Sequence, residues 1–311
     1  MKAAILNILY ERQGEYVSGE GISRALGISR MAVKKHIDGL KERGYEIVSA
    51  KRRGHLLARL SDVYDEVSVG MFLKRKGMQL AVHFLPQTNS TNMQAKMLAA
   101  GKRGIVVAAA QTGGKGRMGR SFVSAPGGVY FTYYCSPDGL APMEALKAVF
   151  CAALAACRAL SPYVDCGIKW TNDIYAGDKK VCGILCEMVS DSDSVELLLQ
   201  GIGINVNNEI VGSLADKAAS LRQLTGKGFL RAELLSEVAF FLERYNGLLF
   251  SGRFDEVLRE YKSSCITIGR RVAVQKGSLT GIAEDIDENG FLVVKTSSGR
   301  KKVISGDVSL I

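Results

Sequence analysis

The sequence lacks any long hydrophobic run. A membrane-spanning helix needs about 18 apolar residues in succession. The nearest stretch here is ten residues, Ala148 to Cys157, closed off by Lys147 and Arg158. No membrane association is therefore expected. The stretch from Met1 to Tyr10 meets Glu11 and Arg12 too early for a secretory signal. Histidine is scarce, with only His36, His55 and His83, which leaves little for imidazole acid–base or metal chemistry. Seven cysteines make an odd number and contain no CxxC pair. That argues against a disulfide framework and against a zinc ribbon, and it fits a reducing cytoplasm.

What is present is ordinary in amount and unusual in distribution. A length of 311 residues suggests two or three domains, and 47% apolar with 23% charged residues is a globular composition. The net charge is +10. Residues 1–60 hold twelve Lys or Arg against six Asp or Glu, and so carry +6 of it. Residues 265–311 carry +2, which leaves +2 for everything between. A charge gathered in the first fifth of the chain points to an anionic polymer such as nucleic acid rather than to general solubility.

Those first residues have a recognisable pattern. Ile5, Leu6 and Leu9 lie at helical spacing. Ser18 opens a second helix with Ile22, Ala25 and Leu26, and Gly27 breaks it. Ser29 is a suitable N-cap for a third helix, with Met31, Val33, Ile37 and Leu40 as its apolar positions, and Gly44 ends it. The short strand-like runs after it flank a basic tip, Lys51-Arg52-Arg53. Helix, glycine turn, basic helix and hairpin make a winged helix-turn-helix over 1–62. A helix about 10 Å across fits the major groove. Ser29, Arg30, Lys34 and Lys35 would then reach bases or phosphates, and Arg52 and Arg53 would add phosphate contacts from the wing. The alternative is a small helical interaction domain with a solvated basic face. Residues 63–80 read as a linker with a possible helical turn.

From Met78 the texture changes. Val82 to Leu85 reads as a strand, Ser90-Thr91-Asn92 opens a helix running to Ala100, and Ile105 to Ala110 reads as a buried strand. Then comes Gly113-Gly114-Lys115-Gly116-Arg117-Met118-Gly119-Arg120. It satisfies GxGxxG, but a dinucleotide-binding loop opens a helix and is usually uncharged. It is not a kinase-type P-loop either, because Gly116 follows Lys115 where Ser or Thr is required. What remains is a glycine-rich loop with cations, suited to wrapping a phosphate with bare N–H groups and charged ends. A mobile basic surface loop is the alternative.

A second constellation runs from Gly167 through Lys169-Trp170-Thr171-Asn172-Asp173 to Tyr175, turns at Gly177-Asp178, and returns through Lys180 and Gly183-Ile184-Leu185. It reads as one strand, a hairpin turn and a second strand. Gly201-Ile202-Gly203-Ile204-Asn205 puts two glycines on one strand face, where a ligand can approach the backbone. Cys182 and Cys186 read as small core residues. Asp216 to Tyr261 reads largely as helix, and the short strands from Ile268 onward suggest a small SH3-like barrel over 265–311.

Taken together, these motifs resemble the bifunctional biotin protein ligase and biotin operon repressor family. The resemblance rests on the winged helix-turn-helix, Ser90-Thr91-Asn92, the GxGRxGR loop at 114–120, Lys169-Trp170-x-Asn172-Asp173, Lys180-x-x-Gly183 and Gly201-x-Gly203-Ile204-Asn205. It covers nearly the whole chain. It implies an α+β architecture: the DNA-binding head, a class II synthetase-like mixed or antiparallel sheet with helices over 81–264, and an SH3-like end. It implies biotin as substrate, held by Ser90, Thr91, Asn92, Gln111, Lys115, Gly116, Arg117, Lys180, Gly183 and Gly203. ATP would meet Gly114, Arg117, Arg120, Phe122, Asn172, Asp173 and Asn205, with Asp173 toward Mg²⁺ and with Lys180 and Arg117 as the catalytic cations. The implied partners are a biotin carboxyl carrier protein, operator DNA, and a second copy of the chain in a dimer promoted by the adenylate. Three positions depart from the family pattern. Lys115 stands where Arg is usual, Thr171 where Pro is usual, and Phe122 where Trp packs on adenine. Exchanging Arg for Lys keeps the charge but loses the bidentate fork.

Two other readings remain open on the sequence. One is a helix-turn-helix regulator that senses a ligand without ligating it. That leaves the cationic glycine loop and Lys180 without a task. The other is a lipoate-type ligase, a related fold that lacks this loop.

Overall fold

Helix caps set the local architecture of the N-terminal region. Helices α1 (Lys2–Glu11), α2 (Gly19–Leu26) and α3 (Arg30–Lys41) follow one another closely. Ser18 Oγ accepts the N–H of Gly21 at 2.9 Å, and Ser29 Oγ accepts that of Ala32 at 3.1 Å. Gly27, left-handed at φ 64°, closes α2 between them. Ile5, Leu6, Leu9, Ile22, Val33, Ile37 and Leu40 form the core of the three helices. Met31 does not join them. It is 82% exposed on the face that carries Lys34 and Lys35. Strands β1 (Glu46–Ala50) and β2 (Gly54–Arg59) make the wing, with 51–53 at its tip. Val17 and His55 exchange backbone hydrogen bonds at 2.8 Å and tie the wing to the start of α2.

In the computed structural model the described residues are 1–311 apart from 100–102, 275–276 and 307. They form two compact units. The first comprises Met1–Val82 with Leu230–Ser236, and the second His83–Phe229 with Glu237–Ile311. Arg231 belongs to the first unit through a 2.7 Å ion pair with Asp62. The stretch 63–80, expected as a linker, instead carries a ten-residue helix, α4 (Glu66–Arg75). Asp65 caps it, accepting the N–H groups of Val67 and Ser68. Its Val67, Val69, Met71, Phe72 and Leu73 are buried, with Phe72 edge-on to Tyr10 at 5.7 Å. The Lys74-Arg75-Lys76 cluster that makes the stretch look solvated merely ends this helix.

The second unit is built on a seven-stranded sheet, whose first strand begins two residues before His83. Its elements are β3 (Ala81–Leu85), α5 (Thr91–Leu98), β4 (Arg103–Ala108), β5 (Val129–Cys135), α6 (Pro142–Ala145), α7 (Ala148–Leu160), β6 (Gly167–Lys169), β7 (Asp173–Ala176), β8 (Lys179–Ser190) and β9 (Val195–Ile204). The strand order is β3-β4-β5-β9-β8-β7-β6. The expected end of α5, Ala100, lies outside the described residues. The run 167–175 is not the single strand its pattern predicts. The chain reverses at Trp170–Asn172, so that Lys169 pairs with Asp173, and the Trp170–Thr171 peptide is cis. The reversal is held by partners far away in sequence. Trp170 N–H donates to Thr267 Oγ1 at 2.9 Å, and its indole N–H to Gly290 O at 3.1 Å. The one tryptophan is therefore a buried brace.

The expected helical stretch 216–261 resolves into α8 (Leu221–Thr225), α9 (Arg231–Phe250) and α10 (Phe254–Ser263). Helix α7, apolar on nearly every side, is buried on nearly every side. Strands β10 (Arg271–Val274), β11 (Leu279–Ile286), β12 (Leu292–Thr296), β13 (Gly299–Val303) and β14 (Val308–Leu310) form an antiparallel sheet in the order β13-β12-β11-β10-β14. Cys182 is buried, while Cys186 is half-buried at the wall of a cavity. Burial pushes the Cys186 thiol up to about 12, and among the described residues no group of His, Cys, Asp or Glu is arranged to hold a metal. No helix among them is long and apolar enough to cross a membrane.

Candidate active site

Three glycines leave a bare floor on the sheet. Gly183 of β8 lies directly opposite Gly203 of β9, and Gly201 is the next inward position. A Cβ on Gly201 would stand 2.3 Å from Asn92 Oδ1, and one on Gly203 would stand 2.7 Å from the Phe122 ring. Side chains from other elements therefore lie flat on backbone here, as only glycine permits.

One edge of the floor carries neutral hydrogen-bonding groups from the start of α5. Thr91 N–H donates to Gln111 Oε1 at 2.8 Å, and Gln111 Nε2 donates to Ser124 Oγ at 2.8 Å. Asn92 Nδ2 donates to Glu187 Oε2 at 2.8 Å and to Leu185 O at 3.2 Å. Thr132 of β5, wholly buried below them, donates to Asn92 Oδ1 at 2.6 Å and lies 2.9 Å from Thr91 Oγ1.

The other edge is cationic. The glycine loop is an irregular hairpin, pinned by Gly116 N–H to Arg120 O at 2.7 Å and Phe122 N–H to Gly114 O at 2.9 Å. At its turn Arg117 reaches back to Thr171 Oγ1 at 3.1 Å and Asn172 Oδ1 at 3.2 Å. Lys180 Nζ lies 2.7 Å from Asp173 Oδ1 and 5.9 Å from the Phe122 ring centre. Lys179, its neighbour, turns away to Asp216 O at 3.0 Å. The β6–β7 reversal thus brings Thr171 and Asn172 to Arg117 of the loop and Asp173 to Lys180 of β8.

The cleft gathers most of the residues singled out from sequence. Ser90, Thr91, Asn92, Gln111, Lys115, Gly116, Arg117, Arg120, Phe122, Asn172, Asp173, Lys180, Gly183 and Gly203 all line it. Gly114 and Asn205 do not. Gly114 packs under the loop, where a Cβ would meet Phe122 O at 2.4 Å. Asn205 is buried, its side chain accepting from Asn208 at 3.2 Å. Sequence reasoning missed Thr132, Met118, Ser121 and Gly306. Thr132 left one weak signal, the one aliphatic hydroxyl in the apolar and aromatic run of β5.

The DNA-facing candidates lie in the first unit. Lys34 and Lys35 are exposed on α3 and have no ion pair among the described residues. Arg30 is held by Glu20, and Ser29 is engaged as a cap. On the wing Arg52 is exposed at the tip, while Arg53 lies over the Tyr16 ring at 4.1 Å.

Comparison with known proteins sorts these two sites together. The profile of the Biotin/lipoate A/B protein ligase family matches residues 82–207, that of the Biotin protein ligase C terminal domain matches 267–311, and an HTH domain profile matches 2–56. The bifunctional ligase/repressor BirA of Bacillus subtilis is 33% identical over 100% of this chain and 98% of its own length. The chain belongs to the biotin protein ligase family. A biotin–[acetyl-CoA-carboxylase] ligase of Paracoccus denitrificans is 30% identical over 72% of this chain and 98% of its own. Among solved structures, a biotin protein ligase from Aquifex aeolicus in complex with biotin and ATP superposes with a TM-score of 0.66. It is 29% identical and covers 74% of this chain and 98% of that one. The glycine floor and both edges of the cleft fall within the region matched by the ligase profile.

Proposed function

We propose that the cleft makes biotinyl-5′-AMP from biotin and ATP and passes biotin to a lysine of a biotin carboxyl carrier protein, while the winged helix lets the same chain act as a biotin-responsive repressor at operator DNA. The observation that carries this is the meeting of two cations, Arg117 and Lys180, with the neutral edge formed by Ser90, Thr91, Asn92 and Gln111 on one glycine floor. A neutral hydrogen-bonding edge suits a ring with urea groups. A cationic edge suits a carboxylate and a phosphate chain. Residues 1–62 serve as the DNA-reading head, 81–264 as the catalytic domain and 265–311 as the C-terminal domain.

The chemistry follows from charge. A biotin carboxylate oxygen attacks the α-phosphorus of ATP, the new O–P bond forms, and pyrophosphate leaves. Both reactants are anionic, so the protein's task is to offset repulsion and hold them in line. Lys180 and Arg117 neutralise the carboxylate and α-phosphate, Arg120 and Asn172 border the nucleotide, and Phe122 offers a ring for stacking. A carboxylate nucleophile has no proton to lose, which fits a cleft without histidine. In the second step a carrier lysine amine attacks the mixed anhydride and AMP leaves, with Lys180 beside the departing charge.

Mg²⁺ fits one donor here. Asp173 Oδ1 is buried and receives no aligned hydrogen bond, although Lys180 is close. Mg²⁺ in nucleotide sites commonly uses one or two carboxylates together with phosphate oxygens. Asp173 would hold it and the ion would screen the phosphates. The protein works in the cytoplasm, and formation of the adenylate promotes a dimer that places two recognition helices on a palindromic site.

Incubating the protein with biotin, α-labelled ATP and Mg²⁺ tests the reading. Labelled biotinyl-5′-AMP is the expected product. Its absence would leave a ligand sensor, and preference for lipoate would move the chain to the lipoate-type ligases. Overpacking costs about 1–3 kcal/mol. Gly201→Ala, which pushes on Asn92, is therefore expected to raise the biotin Kd by roughly ten-fold while the ATP Kd stays put. Titration calorimetry with each ligand checks it, and an unchanged biotin Kd counts against Asn92 as a biotin contact.

A further inference from the structure

A directed chain of hydrogen bonds runs beneath the neutral edge of the cleft. It starts at Glu187, which does not line the cleft. Glu187 borders instead the neighbouring, largely apolar cavity of about 440 Å³ against the C-terminal sheet. Its carboxylate takes an Asn92 N–H at 2.8 Å and faces Lys96 Nζ at 3.4 Å. Leu185 O takes an Asn92 N–H at 3.2 Å. A carboxylate and a carbonyl can only accept. Together they reject the reversed Asn92 amide, which would set oxygen against oxygen twice.

We infer that Glu187 is a positioning residue that fixes the hydrogen-bond polarity of the site, so that the Thr91 hydroxyl offers lone pairs to the N–H groups of a cyclic urea. The logic runs atom by atom. With Asn92 held in this sense, Oδ1 faces Thr132 and carries no proton, so the Thr132 hydroxyl proton is committed to it across 2.6 Å. Thr132 Oγ1 is then free only to accept. The Thr91 hydroxyl gives its single proton to Gln111 Oε1 at 3.2 Å, and Thr132 Oγ1, 2.9 Å away, has no second proton to give it. Its lone pairs are left for the cleft. Reversing Asn92 would reverse Thr132, whose proton would then consume a lone pair of Thr91. Glu187 thus selects ligands that donate at this edge without touching them.

The inference rests on the cleft being a biotin site, and the test separates the two. The full-length chain is assayed by biotin-dependent ATP–pyrophosphate exchange, with biotin and with biotin N-methylated at the urea as probes. An unsatisfied or misdirected buried polar group costs about 1–3 kcal/mol, so Glu187→Ala is expected to raise the biotin KM about ten-fold, with kcat and the ATP KM changed less than about two-fold. Glu187→Gln, whose carbonyl oxygen still accepts from Asn92, is expected to restore most of the loss. The methylated probe lacks the donors and is expected to change less than about two-fold. Thr132→Val cuts the same chain nearer the cleft. Thr91 still gives its proton to Gln111 in that variant, so alone it is expected to change the biotin KM less than about three-fold, and in its background Glu187→Ala is expected to add less than about two-fold, since a reversed Asn92 then has no hydroxyl through which to reach Thr91. Glu187→Met, which fills the same space without a strong acceptor, keeps the test decisive if Glu187→Ala folds poorly. A biotin KM that does not move, equal losses for both probes, or additive losses in the double variant would overturn the inference alone. Absence of exchange in the unaltered chain would overturn the biotin reading with it.

Discussion

Lys180→Ala is expected to slow biotinyl-5′-AMP formation by about 10²–10³-fold, the usual loss when one preorganised group facing developing charge is removed. Lys179→Ala is expected to stay within about two-fold, because adjacent residues of a strand point to opposite faces. The structure separates the two cleanly. Lys180 Nζ is in the cleft, 2.7 Å from Asp173, whereas Lys179 Nζ sits on Asp216 O outside it. Removing Lys180 also strands the Asp173 carboxylate. The thermal midpoint and the biotin Kd of the variant should therefore be measured beside the exchange rate. A rate loss with biotin still bound and the fold intact assigns the cation to the transition state. Equal, mild effects at both lysines would remove Lys180 from the mechanism. Lys180→Arg keeps the charge but not the compact shape of an ammonium, and an intermediate rate is expected.

The second large effect is expected at the other end of the chain. Lys34 and Lys35 are exposed cations on the recognition helix without an ion pair among the described residues, so their charge is available to phosphate. Each phosphate contact contributes about 0.9 to the slope of log K against log salt. Replacing both lysines by alanine is expected to flatten that slope by nearly 2 and to weaken binding by about ten-fold or more at low salt. Anisotropy of a labelled random-sequence duplex is sufficient, since phosphate contacts are independent of sequence. Adenylate synthesis should be unchanged. Unaltered DNA affinity would move the interface away from α3. Arg53→Ala is expected to cost less than either lysine, because that guanidinium already lies over Tyr16.

The candidate site was legible in parts and for identifiable reasons. Glycines that admit close approach, cations in a glycine loop and caps such as Ser29 act locally, and a local rule finds them. Glu187 was invisible, and Thr132 nearly so, for the opposite reason. A hydroxyl in β5 and a carboxylate in β8 look like ordinary strand residues until α5 brings Asn92 between them. Gly114 and Asn205 show the converse failure. Both belong to motifs that form the site, yet their own atoms support its walls. The stretch 63–80 went astray because a basic cluster masked the buried face of α4.

The sequence by itself pointed to most of the helices and strands, to the winged head and to the cations of the glycine loop, because periodicity, capping and charge depend on near neighbours along the chain. Tertiary structure alone decided where the β6–β7 reversal falls, which lysine of the 179–180 pair faces the cleft, and which buried polar groups hold the binding edge. Each of these depends on contacts between residues as far apart as Trp170 and Gly290, or Asn92 and Glu187. A local pattern carries no record of such distances. Only closure of the sheet brings the groups within hydrogen-bonding reach.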